Sequence, residues 1–456
     1  MAKRSPRRAL RVRFKNVSTK NETIRGVKGT RDLLPAEVFL WQQVEQDARR
    51  VFGAYNFGEI RTPILEQTAL FARTVGTDTD IVAKEMFTFA DRDSETLSLR
   101  PEATASVVRA YIEHSLYNEG RIDKLYYMGP MFRRERPQKG RYRQFYQIGA
   151  EVLGSDSPLV DAELLEMLCE FLGQVGGCGV GEYNLLINSV GCAKCRPEYL
   201  KTLKQALEPV RSQMCADCQR RSVTNPLRVF DCKVPADQAI IAKLPTILDS
   251  LDVECSQHFN TVTSELNQRG IMFQITPRLV RGLDYYTRTT FEITSSALGA
   301  QDAILGGGRY DGLSEMLGGP STPGIGFAIG QDRLILVVNE KARQAAPLTE
   351  WKESPTAYVV WLGENTLGPA NALARKLRQG NLKVAIGFEP ASMKKSMGMA
   401  NKIGARFAII VGDAEIADGK FQVKDMANGQ QEAVEPDRIP EYIRAKIAGM
   451  ANSLTE

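Results

Sequence analysis

The stretch Gly129-Pro-Met-Phe-Arg133-Arg-Glu135-Arg136-Pro-Gln-Lys139-Gly-Arg141-Tyr-Arg143-Gln-Phe-Tyr-Gln147-Ile-Gly-Ala-Glu151 holds the densest set of chemistry-bearing side chains in the chain. From Arg133 to Arg143 it carries six basic residues and one acid. A solvated face usually mixes its charges, so a loop this one-sided is built to meet phosphates. Arg133, at the end of a strand-like run, offers a planar fork that a lysine ammonium cannot copy. Gln147 and Glu151 lie four apart on the returning strand, so both point to one face of the sheet. An amide and a carboxylate beside a strand-borne arginine read as a small-molecule pocket. The competing reading is a surface hairpin laced with exposed ion pairs.

Four further blocks carry candidates. Arg100-Pro101-Glu102-Ala103-Thr104 puts an acid and a hydroxyl at the start of a helix; taken alone, Glu102 is equally a carboxylate stabilising the helix dipole. In Arg281-Gly282-Leu-Asp-Tyr285-Tyr286, the glycine permits close backbone approach, and the tyrosines beside an arginine offer stacking and hydroxyl hydrogen bonds. Gly306-Gly-Gly308-Arg309-Tyr310-Asp311 suggests backbone packed hard against a ligand, with a tight hairpin as the alternative. Gly324-Ile-Gly326-Phe-Ala-Ile-Gly330-Gln-Asp332-Arg333 runs from a glycine-interrupted strand into a helix and places Arg333 near its first turn. It is not a phosphate-binding P-loop, because the lysine-Ser/Thr ending is absent.

Cys192, Cys195, Cys215 and Cys218 form a C-x2-C-x19-C-x2-C pattern, within the spacing of a structural zinc ribbon. Cys232 reads as a bystander. The alternative is free cysteines in a reducing compartment.

The elements that must position these residues follow from periodicity. An amphipathic helix is expected over Pro35 to Tyr55, then a strand-like stretch Gly58 to Leu65. A hairpin spans Phe87 to Leu99, and a helix Ala103 to Tyr117 has Pro101 suited to its first turn. Strands Lys124 to Phe132 and Arg143 to Leu153 flank the basic loop, followed by a helix Pro158 to Val175. Helical segments then reach Arg269, with strands near Met272 and Thr289 and the glycine-rich pair at 305 to 330. After Pro-containing residues 344 to 355, a βαβ rhythm from Ala357 to Val411 predicts a small α/β domain.

The 456 residues suffice for two to four domains, and 43% hydrophobic with 25% charged residues describes an ordinary globular chain. No run of about 18 apolar residues is present, so no membrane-spanning helix is expected. Two histidines, His114 and His258, disfavour a histidine-based triad or multi-histidine metal site and read as surface or packing residues. The formal charge of +5 is unevenly placed: residues 1 to 20 carry eight basic side chains and no acid. Residues 1–22 are therefore expected to be a disordered basic arm, touching RNA, directing the chain to an organelle, or dispensable. With no secretory h-region and unpaired-looking cysteines, a cytoplasmic setting is expected.

Together these blocks resemble the class II aminoacyl-tRNA synthetases, and within them the histidyl-tRNA synthetase family, over about residues 22 to 450. Arg133 and its strand-loop-strand look like the class's second motif, Gly326 to Arg333 like its third, and the stretch around Pro63 like its first. Arg281-Gly-Leu-Asp-Tyr-Tyr286 and Gly307-Gly-Arg-Tyr-Asp-Gly312 are the more specific matches. The resemblance implies an α/β chain: an α+β catalytic domain over 23–343 with an antiparallel sheet flanked by helices, an inserted helical Cys-bearing subdomain at about 192–255, a linker at 344–355 and an α/β anticodon-binding domain at 356–456. It implies homodimerisation, with the first motif at the interface. It also implies that Glu102, Thr104 and Gln147 hold the histidine ammonium end and that Glu151, Tyr286 and Tyr310, beside Tyr285, face the imidazole. Arg133 and Arg281 would grip the α-phosphate of ATP, with Arg281 also beside the amino acid, and Arg333 would pack on adenine. The family's glycine is replaced by Ala103. Structural zinc is not general in the family.

The implied reaction joins L-histidine to ATP with Mg²⁺ on the β- and γ-phosphates, then to the 3′ end of tRNA(His). The carboxylate needs no activation, so alignment and neutralisation of growing phosphoryl charge do the work. Arg136, Lys139 and Arg141 are the candidates to meet the acceptor end through salt-sensitive phosphate contacts. Two other readings lose ground. A synthetase-like regulatory subunit of histidine biosynthesis typically lacks the arginine block and the anticodon domain, and a catalytically dead relative would show erosion at Arg133, Arg281 or Glu102.

Overall fold

The structure, a computed structural model, describes residues 23–76, 79, 81–91, 95–175, 183–283, 285–295, 298, 303–345 and 354–453. The basic arm and most of the 344–355 segment lie outside the described residues. Two compact units emerge, one within Met1–Leu34 and Leu40–Leu348, the other within Pro35–Phe39 and Thr349–Glu456. Among the described residues no helix is long and apolar enough to cross a membrane.

The first unit is built on an eight-stranded sheet whose strands run, in chain order, β1 (Gly58–Glu59), β5 (Asp123–Phe132), β6 (Gln144–Leu153), β7 (Asn184–Ser189), β8 (Gln274–Ile275), β9 (Thr287–Thr294), β10 (Ala303–Arg309) and β11 (Gly324–Gly330). Their spatial order is β1-β5-β6-β11-β10-β9-β7-β8. All pairs are antiparallel except those with the two edge strands, β1 on β5 and β8 on β7. A separate three-stranded sheet joins β2 (Leu65–Gln67), β4 (Thr96–Leu99) and β3 (Phe87–Ala90).

Strand alternation divides the large sheet into a packing face and a working face. Ile148, Ala150 and Val152 of β6, Phe291 and Ile293 of β9, and Ile325, Phe327 and Ile329 of β11 all enter the main core. That core is closed by helices Pro35–Ala54, Pro158–Gln174 and Val253–Gln268. The helix Pro158–Gln174 starts cleanly because Ser157 accepts a hydrogen bond from Leu159 N and proline takes the first helical position. Residues at the odd register of β6, Gln147 and Glu151 among them, are left on the opposite face.

Two local expectations differ from the structure. The stretch Gly58 to Leu65 is not one strand: β1 ends at Glu59, and Leu65 begins β2 in the other sheet. Pro63 between them cannot donate to a ladder. The helix expected over 103–117 spans Thr104–Glu113, because Ser115 takes a left-handed conformation with φ 53° and ends it. Pro101 therefore precedes the helix, where its carbonyl accepts from Arg133 Nε at 2.9 Å.

The second unit holds β12 (Ala357–Leu362), β13 (Val384–Ile386), β14 (Phe407–Gly412), β15 (Phe421–Asp425) and β16 (Gln431–Val434) in the order β13-β12-β14-β15-β16. Its first three strands are parallel, as the βαβ rhythm requires, and the last two return antiparallel. Helices Leu367–Gln379 and Ile439–Ser453 contribute Leu373, Leu377, Ile439 and Ile443 to a core of its own.

Candidate active site

The working face of β6, β11, β10 and β9 floors a cavity of about 310 Å³. Glycine makes the floor possible at two positions. Gly326 of β11 lies opposite Glu151 of β6, and a Cβ there would sit 1.7 Å from Glu151 Oε2. Gly306 of β10 lies opposite Glu292 of β9, and a Cβ there would sit 2.0 Å from Arg281 Nη2. Gly306 thus makes room for the site's own arginine, where a ligand or a tight hairpin had been the expectation, and Gly326 does the same for Glu151.

Part of the cavity lining is a set of hydrogen-bond acceptors. Glu102, Thr104 and Gln147 line it, with Tyr285, Tyr286 and Tyr310 beside them. Ala105 N donates to Glu102 Oε1 at 3.1 Å, and burial still pushes the Glu102 carboxyl above its ordinary value. Glu102 therefore serves the helix start and the cavity together. Gln147 Oε1 is buried with no partner, an acceptor open to a ligand N–H. Ala103 fits without strain: its φ is −112°, which needs no glycine, and its methyl packs in a small cluster with Val107, Tyr127 and Met131.

Glu151 departs from the expectation that it faces the ligand directly. It is 0% exposed and lies behind the wall, where Thr104 Oγ1 donates to Oε1 at 2.7 Å and the Tyr310 hydroxyl donates to Oε2. Burial pushes its pKa up to about 8.

Arginines line the same cavity. Arg133 follows β5, anchored by its Nε bond to Pro101 O, with its guanidinium 5.3 Å from the Phe145 ring and Glu135 at 3.6 Å. Arg281 pairs with Glu292, while its Nε is buried without a partner. Arg333, in the first turn of the helix Gln331–Ala345, donates to Ala303 O at 2.7 Å and lines the cavity. Of the loop residues, Arg136 and Lys139 are exposed, whereas Arg141 lines the cavity and pairs with Glu135 at 3.0 Å.

Several contributors escaped the sequence reading. Glu292 was one; as the only acid in a strand of β-branched and aromatic residues, it was a legible signal. Arg309 was another: it is 0% exposed, meets Asp161 at 2.6 Å and 3.1 Å, and fixes the end of β10 beside Tyr310. His258 packs against this pair, its Nε2 3.5 Å from Asp161, and burial lowers its pKa to about 3. It is a packing residue, as expected.

The single tetracysteine site is corrected. Cys192 and Cys195 group with Asp252 and Cys255, while Cys215 and Cys218 group with Cys232 and Asp237. The helix Arg196–Leu207 and the 3-10 turn Glu208–Gln213 separate the two C-x2-C pairs along the chain.

The site thus gathers N–H acceptors and arginines around one cavity, an arrangement that would align a small ammonium-bearing carboxylate with a polyphosphate. Residues 29–334 match the family described as Histidyl-tRNA synthetase, and residues 356–446 match the Anticodon binding domain. A histidine--tRNA ligase of Koribacter versatilis is 55% identical over 432 residues, covering 92% of this chain and 96% of the relative. One from Solibacter usitatus is 54% identical, covering 91% and 98%. The crystal structure of apo S. aureus histidyl-tRNA synthetase superimposes with a TM-score of 0.77 at 37% identity, covering 92% of this chain and all of that one. The chain belongs to the histidyl-tRNA synthetase family.

Proposed function

We propose that the protein activates L-histidine with ATP, releasing pyrophosphate, and transfers histidine from the adenylate to the 3′ end of tRNA(His). The observation that carries this reading is one cavity lined both by the acceptors Gln147, Thr104 and Tyr310 and by Arg133, Arg281 and Arg333. In this reading Glu102 and Gln147 hold the ammonium. The Thr104 and Tyr310 hydroxyls, oriented by Glu151, and the flanking Tyr285 and Tyr286 match the imidazole side. Arg133 and Arg281 neutralise charge growing on the α-phosphoryl oxygens, and Arg333 lies against the nucleotide. Mg²⁺ carried in with ATP would supply charge neutralisation on the terminal phosphates, and Glu135 and Glu292, which line the same cavity, are the carboxylates that would hold it.

Exposed Arg136 and Lys139 meet the tRNA acceptor end, and the second unit reads the anticodon. A homodimer is part of the same reading: Ile64 and Leu65, in the first-motif stretch, are 40% and 48% exposed apolar residues that a second copy would cover. A cytoplasmic setting completes it, since synthesis of proteins there consumes charged tRNA. The test is ATP–pyrophosphate exchange with each of the twenty amino acids, followed by aminoacylation. Exchange stimulated by histidine alone is the expected result; exchange with another amino acid, or none, would remove the reading.

A further inference from the structure

We propose that the inserted subdomain contains two separate tetrahedral zinc sites, each made of three cysteines and one aspartate: Cys192, Cys195, Asp252 and Cys255, and Cys215, Cys218, Cys232 and Asp237. In each group the four ligand atoms lie within 4.8 Å of one another. Tetrahedral zinc with bonds of about 2.3 Å to sulfur and about 2.0 Å to oxygen requires S···S separations near 3.8 Å and S···O separations near 3.5 Å. In the first group Cys192 Sγ lies 3.8 Å from Cys195 Sγ and 3.2 Å from Asp252 Oδ2, and Cys195 Sγ lies 3.9 Å from Cys255 Sγ. In the second, Cys232 Sγ lies 3.9 Å from Cys215 Sγ and 3.2 Å from Asp237 Oδ2.

Disulfide bonding fits these groups poorly. A disulfide holds its sulfurs at about 2.05 Å and uses thiols in pairs, whereas each group has three. The surroundings also suit a metal. Bound carboxylates and thiolates are held by outer hydrogen bonds, and such bonds are present here. Cys255 N donates to Asp252 Oδ1 at 2.7 Å, and Cys215 N donates to Asp237 Oδ1 at 3.1 Å. Backbone N–H groups of Lys194 and Val234 donate to Cys192 Sγ and Cys232 Sγ at 3.3 and 3.4 Å.

The placement gives the metals work to do. The first group ties residues 192–195, where the insert leaves β7, to residues 252–255, where it returns at the helix Val253–Gln268. The second group cross-links the interior of the insert, whose core has only ten buried residues and whose helices are short and interspersed with 3-10 turns. A core that small needs staples. Through this insert Arg228 Nη1 reaches Arg281 O at 3.1 Å, so the metals also brace the segment carrying the active-site arginine.

Elemental analysis of the full-length protein, purified under reducing conditions and dialysed against metal-free buffer, is expected to give two zinc per chain. Cys255→Ser and Cys232→Ser should each retain one. If either variant fails to fold, the wild-type protein decides alone: a mercurial thiol reagent should release two zinc, and cobalt(II) exchange should give tetrahedral thiolate spectra at two equivalents. No zinc, or one zinc per chain, overturns the proposal, as does a Cys255→Ser protein that keeps two.

Discussion

Tyr310 and Glu151 are joined by a hydrogen bond in which the tyrosine hydroxyl donates to Oε2, while Thr104 donates to the other carboxylate oxygen at 2.7 Å. A hydroxyl has one proton, so once Glu151 is ionised, the state a bound ammonium favours, both groups can meet a ligand only as acceptors. A buried carboxylate thereby sets the polarity of a wall it does not reach, and the wall selects for ligand N–H groups. Glu151→Gln should break this. The amide accepts at one end and donates at the other, so one hydroxyl turns its proton into the cavity. A mispaired buried group costs about 1–3 kcal/mol. Histidine-dependent pyrophosphate exchange should lose roughly 5- to 150-fold in kcat/KM for histidine, mainly through KM, with KM for ATP unchanged. Equal effects on both substrates would count against an orienting role.

Arg281 should behave differently. It is paired with Glu292 and packed over Gly306 in the cavity lining. Arg281→Ala should lower adenylate formation about 10²- to 10³-fold, the usual loss when one charge-stabilising donor goes, while histidine binding measured by calorimetry changes little. Arg281→Lys should not restore the rate, because an ammonium lacks the planar fork. Near-normal exchange in Arg281→Ala would exclude the assigned role.

The cavity's contents were legible in the sequence because they sit at strand ends and in glycine-interrupted blocks, where the residue types already limit the chemistry. The βαβ rhythm of the second unit was legible for a similar reason: helix and strand periods alternate cleanly there. What could not be read was depth. Glu151 and Gln147 share a sheet face, yet only the register against Gly326 and the reach of Tyr310 put Glu151 behind the wall. The cysteines failed in the same way. Spacing proposes a partner for each C-x2-C pair, but the chain between them forms a helix, and the nearer ligands, Asp252, Cys255, Cys232 and Asp237, arrive by folding. The break in the first-motif stretch was legible from Pro63 and was overlooked.

Arg309 supports the site from below, and its substitution should separate stability from chemistry. Its guanidinium and the Asp161 carboxylate are both fully buried. Arg309→Met leaves an uncompensated buried acid and should cost about 3–5 kcal/mol in urea-induced unfolding. Adding Asp161→Asn should recover much of that loss, since removing both charges spares their desolvation. No recovery in the double variant would show that the pair is held for packing rather than charge.

Ending the chain at Ser354 should split the two halves of the reaction. The second unit has its own core, while every cavity residue belongs to the first. Adenylation should persist within a few-fold, and charging of tRNA should fall by about 10²-fold or more, as two linked contacts are reduced to one. A parallel loss of both activities would place part of the adenylation machinery beyond residue 354. Deleting residues 1 to 20, in contrast, should leave aminoacylation intact.

The Glu151 carboxyl should also give the protein a pH signature. Burial raises its pKa from 4.5 to about 8, so between these values the folded chain holds a proton that the unfolded chain releases. Its contribution to stability is therefore fully present below about 4.5 and is lost as pH rises through about 8. Histidine acts in the opposite sense. A ligand ammonium in the cavity favours the charged carboxylate, so binding lowers the pKa and expels the proton. By linkage, histidine affinity should then rise between pH 7 and 8.5. Calorimetry at pH 7.5 in buffers of different ionisation enthalpy should report release of a substantial fraction of one proton on histidine binding, and Glu151→Gln should remove it. Because free imidazole is largely neutral at that pH, the variant isolates the carboxyl. Unfolding midpoints should agree: relative to Glu151→Gln, the wild-type protein should lose stability from pH 6 to pH 8.5. A wild-type protein that tracks the variant across this range would mean that Glu151 is charged in the empty site, with the two hydroxyl donors outweighing its burial.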